Sequence, residues 1–121
     1  MITVDYKDRR PIYEQLTASI TELALSGEMK PDEQLPSVRQ LASQLGINPN
    51  TISKAYVELE RRGIIYSVSG RGSFINSDLS TAAGDRQKEL EQQLRECVRD
   101  LMLTGADKKR LTEIIEEEFE K

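Results

Sequence analysis

The chain has 121 residues, a net charge of −4, one cysteine and no histidine. That length holds one small domain with an appendage. The missing histidine removes the commonest general base and metal ligand, and Cys97 alone forms no internal disulfide. No apolar run reaches the roughly 18 residues of a membrane span. The charged start MITVDYKDRRPIY lacks the apolar stretch of a secretory signal, so a cytoplasmic protein is expected.

Residues 1–10 read as a polar lead-in. Pro11 opens a first helix in which Ile12, Leu16, Ile20, Leu23 and Ala24 recur on one face, and Ser26-Gly27 stops it. MKPDEQL (29–35) is a turn, with Gln34-Leu35 as a short strand. Ser37 followed three residues later by Gln40 is a capping box. It starts a second helix with Val38, Leu41, Ala42 and Leu45 as its apolar stripe, closed by Gly46. Asn48 caps a third helix, Pro49 takes the one helical position that tolerates proline, and Ile52, Ala55, Tyr56 and Leu59 form its buried stripe. This helix ends at Arg62-Gly63, where Arg61 and Arg62 complement its dipole. Helix, glycine turn and capped helix make a helix-turn-helix.

Ile64, Ile65 and Tyr66 favour a strand, and Ser73 to Asn76 pair back across a flexible tip, Ser69-Gly70-Arg71-Gly72. A hairpin in this place is the wing of a winged helix. SDLSTAAG (77–84) marks a shift in composition. A long helix follows to Leu103, with Leu90, Leu94, Cys97, Val98, Leu101 and Met102 spaced three and four apart. On that stripe Cys97 reads as a buried small hydrophobe. Thr104-Gly105 breaks the helix, and Asp107 caps a last one carrying Leu111, Ile114, Ile115 and Phe119. Glu116, Glu117, Glu118 and Glu120 read as a solvated face, because a hard-cation site needs ligands converging from several directions.

The expected fold is mainly α with a small β-hairpin. A winged helix-turn-helix occupies residues 1–76 and a helical dimerisation tail 77–121. Two amphipathic helices of this size enclose no core by themselves, so their stripes must meet the head or a second copy of the chain. Charge follows the same division: residues 1–76 carry nine Lys/Arg and nine Asp/Glu, residues 77–121 eight and twelve. Within 37–73, Arg39, Lys54, Arg61, Arg62 and Arg71 are opposed only by Glu58 and Glu60. A locally basic head on an acidic body is compatible with nucleic acid.

The run from Pro11 to about Ile75, with LPSVRQLA, NPNT, the Leu59-Glu60 to Gly63 helix end and GRGSF in order, resembles the DNA-binding domain of the GntR family of bacterial transcriptional regulators. About 45 residues follow it, too few for a large effector domain, so the chain looks like the YtrA-type subfamily with a two-helix dimerisation tail. The resemblance implies double-stranded DNA as partner, a homodimer on a palindromic or near-palindromic operator, and repression. It implies that Arg39 reaches the DNA, that Asn50 and Thr51 hold phosphates at the start of the recognition helix, and that Gly70, Arg71 and Gly72 approach the minor groove. Where some members carry base-reading arginines this chain has Pro49 and Ser53, which leaves Asn50, Ser53 and Lys54 to read bases. Ser37, besides capping its helix, is a further phosphate-contact candidate. No cofactor is implied. The trigger for release is not legible: a small-molecule effector in a dimer crevice, a partner protein or abundance alone would each serve.

A rival reading is a winged helix kept as a protein-interaction scaffold that works through the acidic tail. The basic wing and the Asn50-Thr51 helix start argue against it. An enzyme has less support still: no serine or cysteine stands beside an evident base, and the glycines of the wing lack the strand–loop–helix setting of a nucleotide site.

Overall fold

Glycines and caps divide the chain into seven elements in the computed structural model, which describes residues 2–121. In order they are α1 (Ile12–Ser26), α2 (Val38–Leu45), α3 (Pro49–Arg61), β1 (Ile65–Val68), β2 (Gly72–Ile75), α4 (Ser80–Leu103) and α5 (Lys108–Glu120). Pro11, which opens α1, stands as its N-cap with an extended ψ of 147°. Gly27 and Gly46 end α1 and α2 in the left-handed conformation, at φ of 84° and 66°, where a side chain would be strained.

The contacts divide the chain into two compact units, Met1–Ala83 and Gly84–Lys121. In the first, α1 packs on α3 and α3 on α2. Leu16, Ile20, Leu41, Ile52, Leu59, Ile64, Ile65 and Ile75 are almost wholly enclosed. Ala82, in the first turn of α4, belongs to the same core, and Leu79 packs against it. The lead-in is less detached than its polarity predicts. Ile2 and Val4 pack on the core, and the buried Gln15 side chain binds Asp5 through both backbone groups, at 2.8 and 3.0 Å, and the Arg10 carbonyl at 3.0 Å. A buried amide satisfied in this way fastens the segment to α1.

β1 and β2 pair antiparallel, Ile65 opposite Ile75 and Val68 opposite Gly72. The expected strand at Gln34-Leu35 is a single bridge, Gln34 to Phe74. Hydrogen bonds from Asp32 N–H to the Ile75 carbonyl (2.8 Å), Ile75 N–H to the Glu33 carbonyl (2.8 Å) and Leu35 N–H to the Ser73 carbonyl (2.9 Å) lay it along β2.

The second unit holds the rest of α4 and all of α5, which Asp107 caps by accepting the Arg110 N–H at 2.9 Å. None of its side chains is buried. Cys97, expected to be buried, is exposed: spacing places it beside the apolar stripe, of which Val98 and Leu101 are half-buried and Leu90 and Leu94 exposed. No helix of the described residues is long and apolar enough to cross a membrane.

Candidate nucleic-acid interface

The start of α2 is fixed by a reciprocal cap. Ser37 Oγ accepts the Gln40 N–H at 3.0 Å, and Gln40 Oε1 accepts the Ser37 N–H at 2.9 Å. Arg39 therefore stands on a fixed first turn, exposed. α3 starts on a one-way cap, with Asn48 Oδ1 accepting the Asn50 N–H at 2.8 Å and Pro49 in the first turn. Its inner face is Ile52, Ala55, Tyr56 and Leu59, all buried. Asn50, Ser53 and Lys54 lie on the outer face and are exposed, while Thr51 is half-buried.

Four residues fasten these parts to one another. Gln34 Nε2 donates to the Arg71 carbonyl at 2.8 Å, holding the wing tip. The Tyr56 hydroxyl donates to the Pro36 carbonyl at 2.6 Å, holding α3. Ser37 begins α2. Four residues of chain reach at most about 13 Å, so wing tip, α2 start and α3 are tied to one short strap, 34–37.

The tip itself turns at Gly70, φ 76°, with the Arg71 N–H donating to the Val68 carbonyl at 2.9 Å, a β-turn that requires a positive φ at its third residue. Gly72 has φ 112°, and a Cβ there would lie 3.0 Å from Gln34 Nε2. At the wing's base Tyr66 and Phe74 stack with centroids 5.5 Å apart, and the Tyr66 hydroxyl donates to Asp32 Oδ1 at 2.8 Å.

The cations differ in what they already hold. Glu58 accepts three bonds from Arg61, two at 2.7 Å and one at 3.1 Å, and one from Arg62 at 3.1 Å. Chiefly the Arg61 hydrogen bonds, helped by those of Arg62 and against partial burial, bring its carboxyl down to about 2. The Lys54 ammonium lies 3.9 Å from the centre of the Tyr13 ring of α1. Among the described residues, the guanidiniums of Arg39 and Arg71 have no hydrogen bond, ion pair or ring contact. Sequence reasoning missed Gln34, Tyr13 and the Asp32–Tyr66 bond, because contacts across 30 or more residues leave no local signal.

Residues 12–75 match the family described as bacterial regulatory proteins, gntR family. The chain belongs to the GntR family. The HTH-type transcriptional repressor YtrA of Bacillus subtilis (strain 168) is 42% identical to this GntR chain over 118 residues, 97% of this chain and 91% of YtrA. The crystal structure of a transcriptional antiterminator from Listeria monocytogenes EGD-e superposes with a TM-score of 0.81 at 36% identity, over 97% of this chain and 88% of that one. AraR(DBD), in complex with operator ORE1, superposes with a TM-score of 0.53 at 31% identity, over 62% of this chain and 92% of that one. This GntR protein is a sequence-specific DNA-binding transcriptional regulator, related to the YtrA subfamily, and not an enzyme. Its winged helix-turn-helix, small hairpin and short helical tail are those of its structural relatives.

Proposed function

We propose that the protein is a homodimeric repressor that binds a palindromic or near-palindromic operator through Ser37, Arg39, Asn50, Thr51, Ser53, Lys54 and the wing tip Gly70–Gly72. The observation that carries this reading is the placement of two exposed guanidiniums, unpartnered among the described residues: Arg39 at the capped start of α2 and Arg71 on the wing tip, both tied to the strap 34–37. An arginine with five donors and no internal acceptor is suited to a phosphate or a guanine edge. Ser37 adds to the site without losing its cap: its oxygen accepts from Gln40, and its hydroxyl hydrogen is left to donate to a phosphate. Asn50 and Ser53 present side chains unused by the fold. Lys54, its ammonium against Tyr13, turns its remaining N–H donors outward as a positioned charge.

We place the head at residues 1–76 and the dimerisation tail at 77–121, with the first turn of α4 lent to the head: Ala82 lies in its core and Leu79 packs against it, so the self-contained tail unit is Gly84–Lys121. Support for the dimer lies in Leu90, Leu94, Met102, Ile114, Ile115 and Phe119, which recur at helical spacing and are exposed in one chain. A second copy offers a matching stripe. The name of the Bacillus subtilis relative and the operator complex of AraR favour repression at an operator. Two recognition helices then enter major grooves one helical turn, about 34–36 Å, apart, and polymerase is excluded from the promoter they cover.

Selection of bound fragments from random-sequence duplexes tests the reading. A recovered motif with two inverted half-sites, bound by a particle of twice the chain mass in light scattering, is the expected result. A direct or single half-site bound by a monomer overturns the dimer, and recovery of no motif overturns the DNA interface. Repeating the binding with added metabolite fractions tests for a small-molecule effector in the same experiment.

A further inference from the structure

Val57 is 67% exposed in the middle of α3. Its neighbours Ala55, Tyr56 and Leu59 turn inward, and Val57 falls on the outward side with Asn50, Ser53, Lys54 and Arg61. Seven residues separate it from Asn50, about two helical turns or roughly 10 Å along the axis. It is the apolar member of an otherwise polar face. Isolated apolar side chains on a surface are common, but this one lies on the face that the proposed function turns toward the major groove. There it has a specific counterpart. The C5 methyl of thymine is the apolar feature among the donors and acceptors of the base edges. A stiff β-branched side chain meets a methyl at little entropic cost, whereas a long polar side chain in its place would hydrogen-bond to other bases.

We propose that Val57 is a specificity-determining residue that packs against a thymine C5 methyl in each half-site. At the 3.4 Å rise of a base step, that thymine lies about three base pairs along the groove from the base met by Asn50. The proposal rests on the DNA-reading face set out above. It adds a contact, and a base preference, at a position that neither helix capping nor charge points to.

The test uses the full-length protein and the preferred duplex selected from a random pool. Each thymine is replaced in turn by deoxyuridine, which removes the methyl and leaves the hydrogen-bonding edge intact. Wild type and Val57→Ala are then titrated by fluorescence anisotropy. One symmetry-related thymine pair is expected to weaken wild-type binding about fourfold per methyl when replaced, and to leave Val57→Ala unaffected. The variant should bind the uracil duplex as tightly as wild type does, which shows in the same titration that it is folded; alanine at an exposed helical position is itself favourable. If no single replacement separates the two proteins, Val57 reads no methyl and the proposal is overturned while the DNA interface stands. If no preferred duplex emerges from the pool, the interface fails and the proposal with it.

Discussion

The Tyr56 hydroxyl donates a 2.6 Å hydrogen bond to the carbonyl of Pro36, tying the recognition helix α3 to the residue that precedes the cap of α2. Tyr56 is buried, and burial raises its phenol to about 12. A phenol is neutral below its ordinary value near 10. A folded-state value above the unfolded one gives stability that is complete below pH 10 and is lost as pH climbs toward 12.

Wild type is therefore expected to lose stability between pH 10 and 12, on the order of 2 kcal/mol from this residue. Tyr56→Phe should be about 1 kcal/mol less stable at neutral pH and lose less across that alkaline window than wild type, the Tyr66 phenol, raised by its bond to Asp32, still contributing in both. Urea unfolding at pH 7.5 and pH 11 measures both. Equal alkaline slopes for the two proteins would remove Tyr56 from the account.

Gly70 and Gly72 flank the same arginine under different constraints. Gly70→Ala meets open space and carries the left-handed penalty alone, about 1–2 kcal/mol. Gly72→Ala has φ 112° and also sets a Cβ 3.0 Å from Gln34 Nε2, which must give by a few tenths of an ångström while bonded to the Arg71 carbonyl. The larger loss of stability and of DNA affinity is expected for Gly72→Ala. The reverse order in urea unfolding and anisotropy would count against the strap at 34–37.

Glu58 sits in the grip of Arg61 and Arg62, with its carboxyl near 2. A depressed carboxylate contributes stability above its unfolded value, and that contribution is lost as pH falls through the folded one. Unfolding free energy of wild type should fall between pH 4.5 and pH 2, and Glu58→Gln should fall less over the same window. Parallel curves would show that the two arginines are held by something else.

Leu94→Glu with Ile115→Glu places charges on the exposed stripes of α4 and α5, where the side chains are 53% and 46% exposed in one chain. The double variant should sediment as a monomer, keep the thermal transition of the winged-helix unit, and lose about 100-fold in affinity for a two-half-site duplex as the second contact becomes bimolecular. A dimer that survives both charges would move the interface elsewhere.

The helix starts were legible because their signals are local. Ser37 with Gln40, and Asn48 with Pro49, act within four residues and need no partner from afar. The buried stripes of α1 to α3 were legible from spacing alone. Cys97 was misjudged because periodicity gives the face a residue occupies but not what covers it. The parts of the site that stayed hidden are pairings between distant residues: Gln34 with Arg71, Lys54 with Tyr13, Asp32 with Tyr66. Amides, lysines and tyrosines occur on every surface, and only the fold selects which of them meet.

Arg39 at the start of α2 and Arg71 on the wing tip, both unpartnered among the described residues, are taken to face the operator. The most direct measurement of this is the affinity of wild type and of Arg39→Ala with Arg71→Ala for the selected duplex, across a series of salt concentrations. The account predicts that each replacement costs roughly 1–3 kcal/mol where it meets a guanine, or lowers the salt slope by about one charge where it meets a phosphate. Thermal unfolding should be unchanged. Affinity and salt slope equal to wild type in the double variant would contradict it.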